Sequence, residues 1–128
     1  MKVRRLQHVS SPFTEGDQTA LRTFYGELLG LREIPTPSTL ADLELVWFSA
    51  GGDVELHFFR GAADPAAARH FCLDVEGLDE TRRRLSEAGH EPYDDTPIPN
   101  RPRFFCRDPA GNLVEFTSVE GPYLGTSA

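Results

Sequence analysis

A repeated order of segments restricts this chain more than any single residue does. Within 128 residues, a strand-type run, an amphipathic helical run closed by glycine, and three further strand-type runs occur twice. The first copy opens with Val3–Ser10, where Leu6 and His8 fall on one face and Gln7 and Val9 on the other. A loop over 11–16 follows. Asp17 then stands where a helix N-cap belongs, Leu21, Phe24, Tyr25, Leu28 and Leu29 recur at helical spacing, and Gly30 ends the run. A short strand over 31–34 and a Pro35–Ser38 loop lead to Leu43–Phe48 and Val54–Phe59, which flank Ala50-Gly51-Gly52-Asp53 as a hairpin. Residues 60–68 read as a linker, since Pro65 and the lack of a large apolar stripe argue against a helix.

After the linker the order begins again. His70–Val75 alternates, with Phe71, Leu73 and Val75 on one side and His70, Cys72 and Asp74 on the other. Leu78–Ala88 is predicted as a helix that buries Leu78 and Leu85 and stops at Gly89. His90–Tyr93 is expected to be a short strand with His90 exposed at its start, and 94–102 a proline-rich loop. Arg103–Arg107 and Leu113–Ser118 make a second hairpin around Asp108-Pro109-Ala110-Gly111-Asn112, in which proline presets one turn position and Gly111 is expected at positive φ. The modules are bounded at 3–60 and 68–118, and the tail from Glu120 to Ala128 is too poor in apolar residues to specify structure.

Composition narrows the function. A net charge of −7 argues against a general nucleic-acid or anionic-membrane binder, because such surfaces are basic. Arg82-Arg83-Arg84, flanked by Glu80 and Glu87, reads as a solvated helix face. No apolar run approaches the roughly 20 residues of a membrane span, and no signal-peptide core is evident, so the protein is expected to be cytoplasmic. In that compartment Cys72 and Cys106 are expected as free thiols.

One carboxylate asks for an explanation. Alternation places Leu113, Glu115 and Thr117 on one face of the last strand and Val114 and Phe116 on the other, so Glu115 stands among apolar neighbours. A charge in such a place needs a partner. Superposing the halves sets His8 against His70 in the first strands and Glu55 against Glu115 in the last. The separations, 47 and 45 residues, are nearly the same step. Two imidazoles and two carboxylates suit a divalent Fe, Ni, Co, Zn or Mn. Plainer roles exist for each: Glu55 as the ion-pair partner of Arg60 or Arg103, and His57, on the same face, as a replacement ligand or as part of a pocket wall.

Five segments together resemble the vicinal oxygen chelate superfamily, which includes glyoxalase I, extradiol dioxygenases, fosfomycin-resistance enzymes and bleomycin-binding proteins. They are Gln-His-Val at 7–9, Phe-Tyr-Gly-Glu-Leu-Leu-Gly-Leu at 24–31, Val-Glu-Leu-His at 54–57, Arg-His-Phe-Cys-Leu-Asp-Val at 69–75 and Asp-Pro-Ala-Gly-Asn-Leu-Val-Glu-Phe at 108–116. The resemblance implies an α+β fold of two βαβββ modules, forming a cupped mixed sheet with helices on its outer face. It also implies one divalent metal held by His8, His70 and Glu115, with Glu55 as the extra ligand of glyoxalase I-like members, and a homodimer. On this reading the protein is a metal-dependent lyase or isomerase acting on a small molecule through two adjacent oxygens, with Glu115 or Glu55 as the base. Trp47, His57, Arg103 and Phe105 line the substrate pocket by strand parity, and Arg103 would hold an anionic group unless an ion pair occupies it. A non-haem Fe(II) extradiol-type dioxygenase, a fosfomycin-type thiol transferase and a non-catalytic bleomycin-resistance-like binder are the alternatives.

Overall fold

A computed structural model describes residues 1–122; the end of the expected irregular tail, residues 123–128, lies outside them. The chain divides into two compact units. One is Met1–Asp64 with Pro109–Asn112, and the other is Pro65–Asp108 with the chain from Leu113 onward.

In the first unit, β1 (His8–Phe13), β2 (Arg32–Ile34), β3 (Val46–Ser49) and β4 (Glu55–Arg60) form a sheet in the order β1-β4-β3-β2. β1 runs parallel to β4, and the other pairs are antiparallel. The expected first strand is shifted: residues 3–7 lie outside it, and it extends into the predicted loop as far as Phe13. Pro12 is tolerated there because β1 is an edge strand, where a missing N–H breaks no ladder. Phe13, fully buried, anchors its end.

The helical run starts as α1 (Gln18–Leu21) and continues as a π-helix over Arg22–Leu28. The apolar spacing had signalled a helix but not its hydrogen-bond class, which here includes an i→i−5 bond from Leu29 N to the Phe24 carbonyl at 3.1 Å. Asp17 does not cap the helix amides; its Oδ2 instead accepts from Thr14 N at 3.1 Å and holds the preceding turn. At the far end Leu31 N donates to the Tyr25 carbonyl at 2.9 Å. That closure needs the left-handed backbone that Gly30 adopts at φ 75°.

The strand expected from Leu43 begins only at Val46. Ser38–Leu43 forms a 3₁₀-helix closed by Glu44 in the left-handed region, φ 53°. Its Ser-Thr-Leu-Ala-Asp composition lacks strand alternation, and Pro37 presets the backbone at its start. Tyr25, Phe48 and Phe58 then meet at ring-centroid distances of 4.8 to 6.1 Å. With Leu21, Phe24, Val46 and Leu56 they make this unit's core.

The second unit holds β5 (His70–Asp74), α2 (Leu78–Glu87), β6 (Arg103–Arg107) and β7 (Leu113–Thr117), with strand order β5-β7-β6. β5 runs parallel to β7, and β6 antiparallel to it. The strand expected over 90–93 is reduced to a single bridge in which Tyr93 and Phe105 exchange two backbone bonds of 2.8 Å. Pro92, without an N–H, cannot extend the pairing. His90 is half-buried rather than exposed, its N–H donating to the Leu85 carbonyl at 3.0 Å. Gly111 takes φ 92°, as its turn position requires. Phe104 stacks on Phe116 at 4.9 Å, and both are buried in this unit together with Leu85 and Val114.

The fold class is therefore α+β as expected, its strands hydrogen-bonded as two mixed sheets of four and three strands. Arg83 pairs with Glu80 and Glu87 on the exposed face of α2, as its neighbours suggested. Both cysteines are free thiols. Burial pushes the Cys106 thiol up to about 11, which keeps it protonated and inert at neutral pH. No helix among the described residues is long and apolar enough to cross a membrane.

Phe58→Ala or Phe116→Ala is expected to cost about 3–5 kcal/mol in urea unfolding, since each empties a fully buried ring site. Phe59→Ala, at an exposed position of the same strand as Phe58, should stay within about 0.5 kcal/mol of the parent.

Candidate functional site

Parallel pairing brings the ends of each repeat side by side. In the first unit His8 lies directly opposite Glu55, and Ser10 opposite His57. His57 Nε2 is 2.8 Å from Glu55 Oε1. The His57 ring stacks on Trp47 at 3.7 Å with the planes 2° apart, and on His8 at 4.1 Å with the planes at 17°. His57 therefore lies in a short column of flat rings, with its Nε2 free to serve the carboxylate. The structure gives Arg60 to Glu44 at 2.6 Å and Arg103 to Glu115, so neither is the companion of Glu55.

Gln7 is a member of this group that strand parity had placed on the opposite face. It precedes the regular part of β1, so alternation does not bind it. Its Oε1 is 2.7 Å from His8 Nδ1. An amide oxygen only accepts, so Nδ1 donates, and in a neutral His8 the lone pair is on Nε2. Gln7 also hydrogen-bonds Glu55. The His57 hydrogen bond, more than that from Gln7, holds the Glu55 carboxyl below the ordinary 4.5. The only sequence signal for Gln7 was its adjacency to His8. Glu55 opens onto a pocket of about 380 Å³ that Arg5, Gln7, Arg32 and Asp53 help to line.

In the second unit the same side of the sheet carries His70, Cys72 and Glu115. Here Cys72, not His70, is the residue opposite Glu115, and His70 lies opposite Leu113. The near-equal sequence separations thus conceal a difference of two residues in register. Counted along the paired strands, the first-unit position that matches Glu115 is His57 rather than Glu55.

His70 Nε2 is 3.0 Å from Glu115 Oε1, and His70 Nδ1 is 2.9 Å from the Ala68 carbonyl oxygen. The carbonyl must accept, so Nδ1 donates, and a neutral His70 turns a lone pair toward a carboxylate oxygen. Two acceptors at that distance need a positive centre: a second proton on the imidazole or a cation bound by both. About 3.0 Å is also the spacing of adjacent donors around a six-coordinate cation with metal–donor distances near 2.1 Å. The pair therefore fits a divalent metal in donor chemistry and in spacing. Among the described residues no three His, Cys, Asp or Glu side chains converge as one metal-holding group. The ligand-type residues come as imidazole–carboxylate pairs, one in each unit.

Phe105 organises the surroundings of Glu115. Its ring meets the His70 ring edge-on at 5.0 Å, stacks on Tyr93 at 5.7 Å, and lies under the Arg103 guanidinium at 5.3 Å. Arg103 Nη1 stands 3.3 Å from Glu115 Oε2. A pocket of about 500 Å³ opens beside Glu115, with Cys72, Asp74, Ile98, Arg101 and Thr117 among its walls. Solvent reaches Cys72, yet packing around its sulfur, followed by the charges of Glu115 and Asp74, pushes the thiol up to about 11. It is a neutral wall residue rather than a nucleophile at neutral pH.

Residues 5–116 match the family described as the glyoxalase/bleomycin resistance protein/dioxygenase superfamily. The chain belongs to this superfamily. Its fold is similar to that of a glyoxalase family protein from Bacillus anthracis, 32% identical, with 93% of this chain and 98% of that one covered at a TM-score of 0.83. It is also similar in fold to lactoylglutathione lyase from Agrobacterium tumefaciens, with 23% identity, 94% and 97% coverage and a TM-score of 0.68. A third similar structure is TnmS3, an antibiotic binding protein from Streptomyces sp. CB03234, with 21% identity, 93% and 98% coverage and a TM-score of 0.70. No match was found among curated proteins. Superfamily membership accounts for the repeated pattern of a first strand paired parallel to a last one, and leaves the individual activity to the site itself.

The Glu55–His57 bond has a measurable consequence in metal-free protein. A carboxyl whose folded pKa is lowered adds stability that is present above the unfolded value near 4.5 and lost as pH falls through the folded value. A carboxyl-detected NMR titration should place Glu55 below 4.5 in the parent and higher in His57→Ala. The stability gap between the two proteins should narrow as the pH drops below that range.

Proposed function

We propose that this protein is a metal-dependent lyase or isomerase of glyoxalase type, acting on a small molecule that presents two adjacent oxygens. The observation that carries this reading is the His70–Glu115 pair. An imidazole whose Nδ1 is satisfied by a backbone carbonyl turns Nε2 toward a carboxylate oxygen at 3.0 Å, an arrangement that a cation completes. His8 supports it from the first unit, since Gln7 fixes the same tautomer there. The proposed ligands are His70 and Glu115 in the second unit and His8 and Glu55 in the first, and imidazole with carboxylate suits Ni, Zn, Co, Fe or Mn.

A divalent ion so held supplies Lewis-acid polarisation of the substrate oxygens. The protein's own groups do the rest. Glu115 or Glu55 removes the proton from the carbon beside those oxygens and returns it to the neighbouring carbon. Glu55 stands at a pocket wall within reach of a bound small molecule, although the His57 hydrogen bond lowers its basicity. Trp47, on the same strand face as Glu55, orients the substrate; His57, sandwiched between Trp47 and His8, and the buried Phe105 each support the carboxylate of their own unit. The protein works as a cytoplasmic homodimer, a reading that its free thiols and exposed Leu43 side chain support.

A second reading rests on the ring column Trp47–His57–His8, which offers a planar apolar surface without needing a metal. In that case the protein sequesters an aromatic small molecule.

Metal analysis of the purified protein, followed by assay of a hemithioacetal after loading with Ni, Co or Zn, decides between them. Turnover is expected in at least one metal form. Glu115→Gln should lower it by about a hundredfold or more while the metal-free protein still melts cooperatively. If no metal-loaded form turns the hemithioacetal over, the glyoxalase assignment falls. If divalent ions also leave thermal stability unchanged, the binding-protein reading takes its place.

A further inference from the structure

We infer that Arg103 is a positioning residue that withholds one oxygen of Glu115, so that this carboxylate presents a single free oxygen to its cation. The inference rests on the metal reading above and concerns how the ligand is presented.

Arg103 enters from β6, directly opposite Thr117 and two residues before Phe105. Its side chain is 12% exposed, an unusual depth for a guanidinium. Its donors are divided. Nη2 and Nε both reach the Thr96 carbonyl, at 2.8 and 3.3 Å, while Nη1 faces Glu115 Oε2 at 3.3 Å. The plane of the group is fixed from below by the Phe105 ring, and the nearest other carboxylate, Asp95, stands 3.9 Å from Nη2. One face of the fork is therefore tied to a backbone carbonyl that cannot move away with a side chain, and the remaining arm is aimed at Oε2. Oε1 points to His70 Nε2.

A free carboxylate readily binds a divalent ion through both oxygens. With Oε2 held by a fixed cationic donor, Glu115 would offer a cation Oε1 alone. The planar fork is what allows simultaneous contact with Thr96 and Glu115. A lysine ammonium is a point charge on a flexible stem and cannot span both.

The test uses Co(II) as the probe on the full-length protein, with Arg103→Met and Arg103→Lys. Calorimetric titration gives affinity, the visible absorption spectrum reports coordination number, and thermal melts verify folding. Arg103→Met should bind Co(II) about tenfold tighter, because a cationic neighbour is gone and a second oxygen is freed. Its visible bands should weaken as the coordination number rises. Arg103→Lys should shift both readouts the same way by less, and it carries the test if the methionine variant does not fold. Variants that keep the parent spectrum, or that bind Co(II) more weakly, overturn the inference. A parent protein that binds no Co(II) removes the metal reading and this inference together, and that result is distinct from a parent that binds while its variants match it.

Discussion

Parallel pairing between the first and last strand of each repeat is the constraint on which the rest depends. Two parallel neighbours cannot be joined by a tight turn, so the chain between them must make a long crossover. Here a helix and intervening strand segments fill that interval, and they are the part of each repeat that carries most of the core: Phe24, Tyr25, Val46 and Phe48 in one unit, Leu85, Phe104 and Cys106 in the other. The crossover also brings residues 45 apart in sequence, His70 and Glu115, within hydrogen-bonding distance. Core and site are thus two results of one topological demand, with the site on the strand face that the core does not use.

The elements that were legible in sequence are those whose signals are local. Gly30, Gly89 and Gly111 mark their chain reversals because positive φ has few other solutions, and both hairpins follow from their turn residues. The alternation that put Glu115 apart from Val114 and Phe116 also held, because a one-residue slip would have buried the charge in the core. Less legible were features settled by neighbours distant in sequence. β1 starts where β4 can pair with it, not where its own apolar pattern begins. The bridge at Tyr93 stays a bridge because Pro92 has no donor to offer.

At the site, residue types were easier to read than their partnerships. His8, Glu55, His57, His70 and Glu115 stood out as ligand-type residues on strand faces, whereas their assortment into pairs depends on register. Register in a parallel pair is set by the crossover that separates its strands, so counting residues between His and Glu could not reveal that the two halves differ by two positions. Gln7 was hidden for a related reason: a residue just outside a regular strand is not bound by its alternation. Arg103 was visible as a pocket-lining cation, but its pairing with Glu115 and its attachment to the Thr96 backbone are tertiary facts that no residue type announces.

The hydrogen bond from His70 to the Ala68 carbonyl gives the linker an unexpected kind of constraint. The group that sets the imidazole tautomer belongs to the main chain, and all twenty amino acids carry it. Replacing Ala68 changes the side chain and leaves the acceptor where it was. Adding or deleting a residue between 68 and 70 removes that carbonyl from the ring's reach. Evolution or an engineer can therefore rewrite this position freely in letters but not in spacing, and a family tree built from residue identities would record the position as unimportant.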